Sequence, residues 1–274
     1  MKIDEPLITI LITNYNTVDF IKLNLFSIEN LIKNSFKVII NDNGSNKNDI
    51  LELKKLEKEK KYLKVNYRVS KRKEASYAHA EALDILINMV DTKYFVILDS
   101  DCTFLMKNWD EYCINELNDK VKVIGTQMAS VKGVGHKPND FPFQFAVFFE
   151  TKTYKLLNIS CMPENLTDKD TCWQWKPKYL NAGYKSKLFY AKNTKEFQNG
   201  PFKSIYCAEY YTENNKLICC HFGRGSSGGV AKYNNKWWFK IPLVSRLIRK
   251  YIGFKEKREW INICYKIINN EKLK

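Results

Sequence analysis

The apolar positions of this chain first fall in short, dense runs instead of strict alternation. Leu7 to Thr13 reads LITILIT, Phe36 to Ile40 reads FKVII, and Tyr94 to Leu98 reads YFVIL. Runs this short and this rich in Ile, Val and Leu predict strands buried on both faces. Leu63 to Val69 is a third strand in chain order, before the one at Tyr94. Between the strands the period lengthens. Ile21, Leu25, Ile28 and Ile32 recur at helical spacing after Thr17, a residue suited to cap the first turn. A charged segment follows the second strand, with Ile50, Leu53 and Leu56 on one face. Residues 75 to 90 place Ala75, Ala78, Ala82, Leu86 and Met89 on one stripe of another helix. Strand and helix alternate, so the pattern predicts an α/β fold with a mostly parallel central sheet flanked by helices. In such sheets ligands bind at the carboxyl ends of the strands. The segments at Asn14, Asp42, Arg72 and Asp99 all fall there.

The second half is less regular. Val121 to Gln127 reads as a strand, residues 128 to 139 as a loop, and Phe141 to Phe149 as an aromatic strand. A helix is expected from about Asp170 to Ala182, with Gly183 as its C-cap. Lys216 to Cys220 is a strand, and residues 221 to 229 form a glycine-rich segment. The tail carries Trp237, Trp238, Phe239, Ile241, Leu243, Leu247, Tyr251 and Phe254 among Lys240, Arg246, Arg249 and Lys250. Such a basic amphipathic helix can lie on an anionic membrane, or pack on the main domain or on a second subunit. No internal repeat is present. The expected organisation is one catalytic domain over residues 1 to 230 and a C-terminal helical extension over 231 to 274.

Composition changes this picture little. With 274 residues and 45% hydrophobic content the chain can bury a substantial core. The net charge of +15 suits polyanionic or phosphorylated partners, but much of it is lysine in an Asn- and Ile-rich composition. Eight cysteines occur without any CxxC pair, and Cys219 and Cys220 are adjacent. Buried thiols in a reducing compartment are expected, and hence a cytoplasmic protein, peripheral to the membrane at most. The polar start, Met1 to Pro6, does not read as a signal peptide, and no apolar run approaches the ~20 residues of a membrane span.

Asp99 and Asp101 close an apolar strand, one residue apart. Two carboxylates there can serve one cavity, where magnesium or manganese bridges a carboxylate to a substrate diphosphate. As an isolated tripeptide, Asp-Ser-Asp reads more readily as a solvated turn that caps the next helix; its place at a strand end argues for the site. Asp42 suits an Asx-turn in Asp-Asn-Gly-Ser and could also accept from a nucleobase or ribose. His221, at a strand end before the glycines, is a candidate metal ligand. His79 reads evenly as a donor-site or a packed histidine.

The order ITILITNYN, VIINDNGS and YFVILDSDC resembles a family 2 glycosyltransferase of the Rossmann-like GT-A fold, over about residues 6 to 230. The resemblance implies an inverting, metal-dependent transfer from a nucleotide-diphosphate sugar to a hydroxyl of a glycan or lipid-linked acceptor, as in polysaccharide biosynthesis. Mn2+ or Mg2+ would be the cofactor, and a UDP-sugar the favoured donor. Thr13, Asn14, Tyr15, Asn16 and Asp42 would hold the nucleotide, and Arg72 or Lys73 would meet uracil or phosphate. Asp99 would orient the donor sugar near the metal. Asp101 of the Asp-x-Asp motif would bind the metal, joined by His221, and Arg224 would face the diphosphate. The family's glycine-and-asparagine helix start is replaced by Ala75-Ser76-Tyr77-Ala78-His79-Ala80. An inverting transfer needs a general base. Asp170 is the first candidate, Asp168 the second and Glu150 a third; for Asp170 a helix N-cap is the competing reading. The family's Glu-Asp pair is absent.

Two other classes compete. A sugar-nucleotide nucleotidyltransferase would open with a Gly-rich loop where this chain has Asn14-Tyr15-Asn16-Thr17. A basic nucleic-acid-binding protein would explain the charge but not carboxylates at the strand ends, so no nucleic-acid partner is expected. A homodimer is compatible with the sequence.

Overall fold

The computed structural model describes residues 5–72, 74–128, 138–225 and 242–271, with the side chains of 242–247 left aside. In chain order the elements are β1 (Ile8–Asn14), α1 (Val18–Leu31), β2 (Phe36–Asp42), α2 (Lys47–Glu59), β3 (Leu63–Tyr67), α3 (Ala75–Asn88), β4 (Tyr94–Asp99), β5 (Cys102–Phe104), α4 (Trp109–Glu116), β6 (Val121–Thr126), β7 (Ala146–Glu150), α5 (Thr151–Leu156), α6 (Trp175–Asn181), β8 (Lys185–Asn193), β9 (Ala208–Tyr211), β10 (Leu217–His221) and α7 (Pro242–Ile268).

They build one ten-stranded sheet in the order β3-β2-β1-β4-β7-β6-β8-β9-β10-β5. β3, β2, β1 and β4 run parallel, as the alternating pattern predicts. The chain leaves β1 toward β2 and β3, then returns to place β4 on the other side of β1. Strand order therefore reverses between β1 and β4, and the crevice of an open α/β sheet lies there. Register brings Thr13 beside Asp99 and Asn14 beside Asp42.

Both faces of β1 are covered. Ile8, Ile10 and Ile12 point into one apolar cluster, while Leu11 joins a second on the other face. The first cluster includes Phe20, Trp109 and, from α7, Trp260, Cys264 and Ile268. The second includes Leu83 and Leu86 of α3, with Tyr154, Trp175 and Tyr179. The expected boundary at residue 230 and the tail residues Trp237, Trp238, Phe239 and Ile241 lie outside the described residues. The helix beyond them shares the core of the rest, since α7 packs against α1. No helix among the described residues is long and apolar enough to cross a membrane.

Several expectations need correction. The stripe on α3 is rotated: Ala80, Ala82, Leu83, Leu86 and Ile87 are buried, because the first turn, with Ala75 and Ala78, faces the crevice. Thr17 holds the N-cap position of α1 but makes no side-chain cap: its hydroxyl donates to Asn14 Oδ1 at 2.7 Å, and Asp49 Oδ2 accepts from Val18 N at 3.1 Å. The helix expected from Asp170 begins only at Trp175, because Cys172 takes a left-handed φ of 65° that breaks any earlier turn. Gly183, with φ 78°, follows that helix as expected of a C-terminal glycine. The aromatic strand is shorter than read, starting at Ala146. All eight cysteines are buried free thiols.

Candidate functional site

A cleft of about 650 Å³ opens at the reversal point, lined by Thr13, Asn14 and Tyr15 from the end of β1, Asp99 and Asp101 around the end of β4, and His221 from β10. The geometry is built from local pairing. Antiparallel β5 and β10 set His221 opposite Cys102, one residue past Asp101. Phe222 N donates to the Asp101 carbonyl at 2.8 Å. On α1 the buried Asn24 holds the intervening turn: its Nδ2 donates to the Ser100 carbonyl at 2.8 Å, and its Oδ1 accepts from Thr103 Oγ1 at 2.6 Å.

One ligand atom each of Asp99, Asp101 and His221 can be chosen so that all lie within 4.8 Å of one another. His221 Nε2 stands 3.4 Å from Asp101 Oδ1 and 3.9 Å from Asp99 Oδ2. Asp101 Oδ2 is already committed, accepting from Arg224 N at 2.8 Å and Gly225 N at 2.7 Å. Its other oxygen faces His221. Phe145 stacks on the imidazole at 4.0 Å between ring centroids. Two carboxylates and an imidazole form a donor set that suits Mn2+ or Mg2+. A close-packed cradle accompanies it: a Cβ on Gly225 would sit 2.9 Å from Asp101 Cγ. The residues present therefore fit a divalent cation.

The carboxylates differ in acidity. Desolvation pushes Asp99 up to about 7; His221 opposes the rise and Asp101 adds to it. Burial would raise Asp101 as well, but His221 and the Gly225 and Arg224 amides outweigh it and hold it at about 2. His79 also borders Asp99, with Nε2 3.8 Å from Asp99 Oδ1. Its Nδ1 shares a 3.1 Å hydrogen bond with Thr13 Oγ1, and its Nε2 has no hydrogen-bond partner among the described residues. Desolvation drops this imidazole to about 4, despite the nearby Asp170 and Asp101 charges.

Other sequence candidates fall in different places. Asp42 is buried, and its carboxylate is spent inside the fold. Oδ1 accepts from Asn14 Nδ2 at 2.7 Å, and Oδ2 accepts from Gly44 N and Ser45 N at 3.2 and 3.1 Å. Its Asx-turn is thus present, and the turn shapes the β1 loop, where Asn16 N donates to Ser45 Oγ at 2.8 Å. Tyr15 is 51% exposed on the cleft wall. Arg72 also lines the cleft, 3.7 Å from Glu81; Lys73 lies outside the described residues. The Arg224 main chain borders the site, but its guanidinium pairs with Glu256 of α7 and donates to the Tyr206 carbonyl at 3.2 Å.

Asp170 lines the cleft, accepting from Thr171 N at 2.7 Å. Asp168 does not: it stands exposed in the preceding loop, beside Thr167. Glu150 is at the wrong end of the sheet. β7 runs antiparallel to β4, so Glu150 pairs with Tyr94 at the far end from Asp99 and binds Lys122 at 3.1 Å. Gln144 and Phe145 join the site without belonging to any of the sequence motifs above. Gln144 lines the cleft with a buried Oε1 that has no hydrogen-bond partner among the described residues. A lone amide inside an aromatic run was the available signal.

The family model described as Glycosyl transferase family 2 matches residues 9–180. No curated protein matches the chain. Among solved structures, the chain is similar to the mannosyltransferase PcManGT from Pyrobaculum calidifontis, solved in complex with GDP-Man and Mn2+. The identity is 14% and the TM-score 0.53, over 68% of this chain and 55% of that one. It is also similar to S. aureus TarS 1-349 in complex with UDP, at 18% identity and a TM-score of 0.46, over 64% and 55% of the two chains. The chain spans about 55% of the length of either structure. The first likeness shows a shared GT-A fold.

Proposed function

The chain belongs to glycosyl transferase family 2, and on that premise we propose that it moves a sugar from a nucleotide-diphosphate donor to an acceptor hydroxyl with the help of a divalent cation. The observation that carries this reading is the meeting of Asp99, Asp101 and His221 on the wall of one cleft at the sheet's reversal point. Those three residues would hold Mn2+ or Mg2+. Such a cation, when bound, supplies positive charge against the departing diphosphate.

The remaining roles belong to the protein. The Thr13 to Asn16 turn, braced by Asp42, forms the nucleotide wall, where the exposed Tyr15 ring offers a face for a base. A UDP-sugar is the favoured donor. Asp170, which lines the same cleft, acts as the general base in this reading. It takes the proton of the acceptor hydroxyl as that oxygen bonds to the anomeric carbon and the bond from that carbon to the diphosphate oxygen breaks. Attack from the side opposite the leaving group inverts the anomeric centre. The acceptor is a glycan or lipid-linked hydroxyl. Exposed Tyr251 and Phe254, among exposed Lys250 and Lys255 on α7, support a peripheral contact with a lipid surface.

The test is a thermal-shift panel of nucleoside diphosphates and sugar nucleotides, with and without Mn2+, followed by transfer assays. Metal-dependent stabilisation is expected for the wild-type protein and is lost in Asp101→Ala. Asp170→Ala is expected to keep donor binding and lose transfer by at least a hundredfold, the scale of a missing general base. A panel with no metal-dependent response would sink the metal reading, and full transfer by Asp170→Ala would remove it as the base.

A further inference from the structure

The segment that positions Asp101 is itself held from a distant part of the chain. Phe222 to Gly225 follows β10, and Gly223 turns with φ 73°. Arg224 N and Gly225 N both donate to Asp101 Oδ2. The Arg224 side chain runs the other way and is only 2% exposed. It stacks 4.2 Å over the Phe222 ring and forms an ion pair with Glu256 of α7. One turn further along α7, Trp260 lies 5.7 Å from Phe222 and donates to Cys220 Sγ at 3.2 Å. At the next position of the helix, Lys257 pairs with Asp19 of α1 at 2.9 Å, its Nζ 4.9 Å over the Phe20 ring.

We infer that Glu256 is a positioning residue for Asp101: by anchoring the Arg224 side chain, it fixes the two main-chain N–H groups that orient the carboxylate toward His221. The inference rests on the reading of Asp101 as a metal ligand. Its physical basis is the cost of taking a carboxylate away from a buried guanidinium. With Glu256 removed, the Arg224 side chain keeps its contact with the Tyr206 carbonyl but loses this carboxylate, and its anchoring weakens. Its main chain moves with it, and the two N–H hydrogen bonds to Asp101 Oδ2 loosen. The helix at the chain's end thereby belongs to the cation site without touching it. Outer partners of this kind commonly set metal affinity by tenfold or more.

Binding of Mn2+ alone, read from the free-ion EPR signal, tests this without requiring turnover. Glu256→Ala is expected to weaken Mn2+ affinity about tenfold. The near-isosteric Glu256→Gln keeps an acceptor for the guanidinium but not the charge, and should weaken it severalfold. Lys257→Ala, which breaks the neighbouring pair with Asp19 and leaves Arg224 and Glu256 in place, should bind Mn2+ as the wild type does. Arg224→Ala keeps its main-chain N–H but loses the anchor, so Arg224→Ala with Glu256→Ala should bind no more weakly than Arg224→Ala by itself. Wild-type affinity in both Glu256 variants, losses that add in the double variant, or an equal loss in Lys257→Ala would overturn the inference. Failure of the wild-type protein to bind Mn2+ would overturn the metal reading and this inference with it.

Discussion

At the scale of single residues, the site depends on what is absent as much as on its ligands. Gly225 has no Cβ, and one would meet Asp101 Cβ and Cγ at 2.9 Å. Gly225→Ala must therefore push the carboxylate aside or pull its own N–H away. Mn2+ affinity is expected to fall by about 10- to 100-fold, with a far smaller change in the urea midpoint. Unchanged Mn2+ binding would show that the amide contact does not position Asp101. His79 makes a second residue-level prediction, one of sign. Its folded pKa of about 4 lies below the ordinary imidazole value of 6.5, so between those values the unfolded chain binds the extra proton. Its contribution to stability is intact above pH 6.5 and is lost as the pH falls toward 4. His79→Gln should therefore lose less stability than the wild type between pH 7.5 and 5 in urea melts; parallel losses would mean the imidazole is freely solvated. Asp99, Asp101 and His221 were legible from strand-end positions. Gly225 and Gln144 were not, because their roles depend on who approaches them through space.

Among elements, the informative contacts are those that close helix and strand ends. Asp110 of α4 is fully buried, and its carboxylate accepts from Lys33 N at 3.0 Å and Asn34 N at 2.9 Å, just beyond α1. Asp110→Ala leaves those amides short of partners and is expected to cost about 2–3 kcal/mol in urea unfolding. A loss under about 0.5 kcal/mol would indicate that water replaces the carboxylate. The dense apolar runs located β1, β2 and β4 because strands covered on both faces leave no room for polar alternation. The same pattern carries no direction, so nothing in AVFFE announced that β7 runs antiparallel and takes Glu150 away from the cleft. The late start of α6 had a similar origin. Cys172 takes a left-handed φ at a residue whose type does not advertise it.

For the molecule as a whole, the question is whether α7 is an appendage or part of the machinery. The sequence suggested an extension because its basic, aromatic character contrasts with the sheet before it. Its buried face nevertheless joins the core of the rest. Trp260 is 0% exposed and packs against Phe20 of α1, Phe202 and Phe222, with ring centroids 5.7, 6.1 and 5.7 Å away. Deleting that indole removes the centre of an aromatic cluster that joins α1, the loop before β9 and the segment after His221. Trp260→Ala is expected to destabilise the protein by about 3–5 kcal/mol, the range for emptying a large aromatic site. Since Phe222 is the residue after His221, the cavity also opens next to the candidate cation site. At a denaturant concentration where the variant remains folded, its Mn2+ affinity should still be lower than that of the wild type. An independent extension would behave differently. Its loss of packing would leave both the main unfolding transition and Mn2+ binding unchanged, and that pair of results would separate α7 from the catalytic fold.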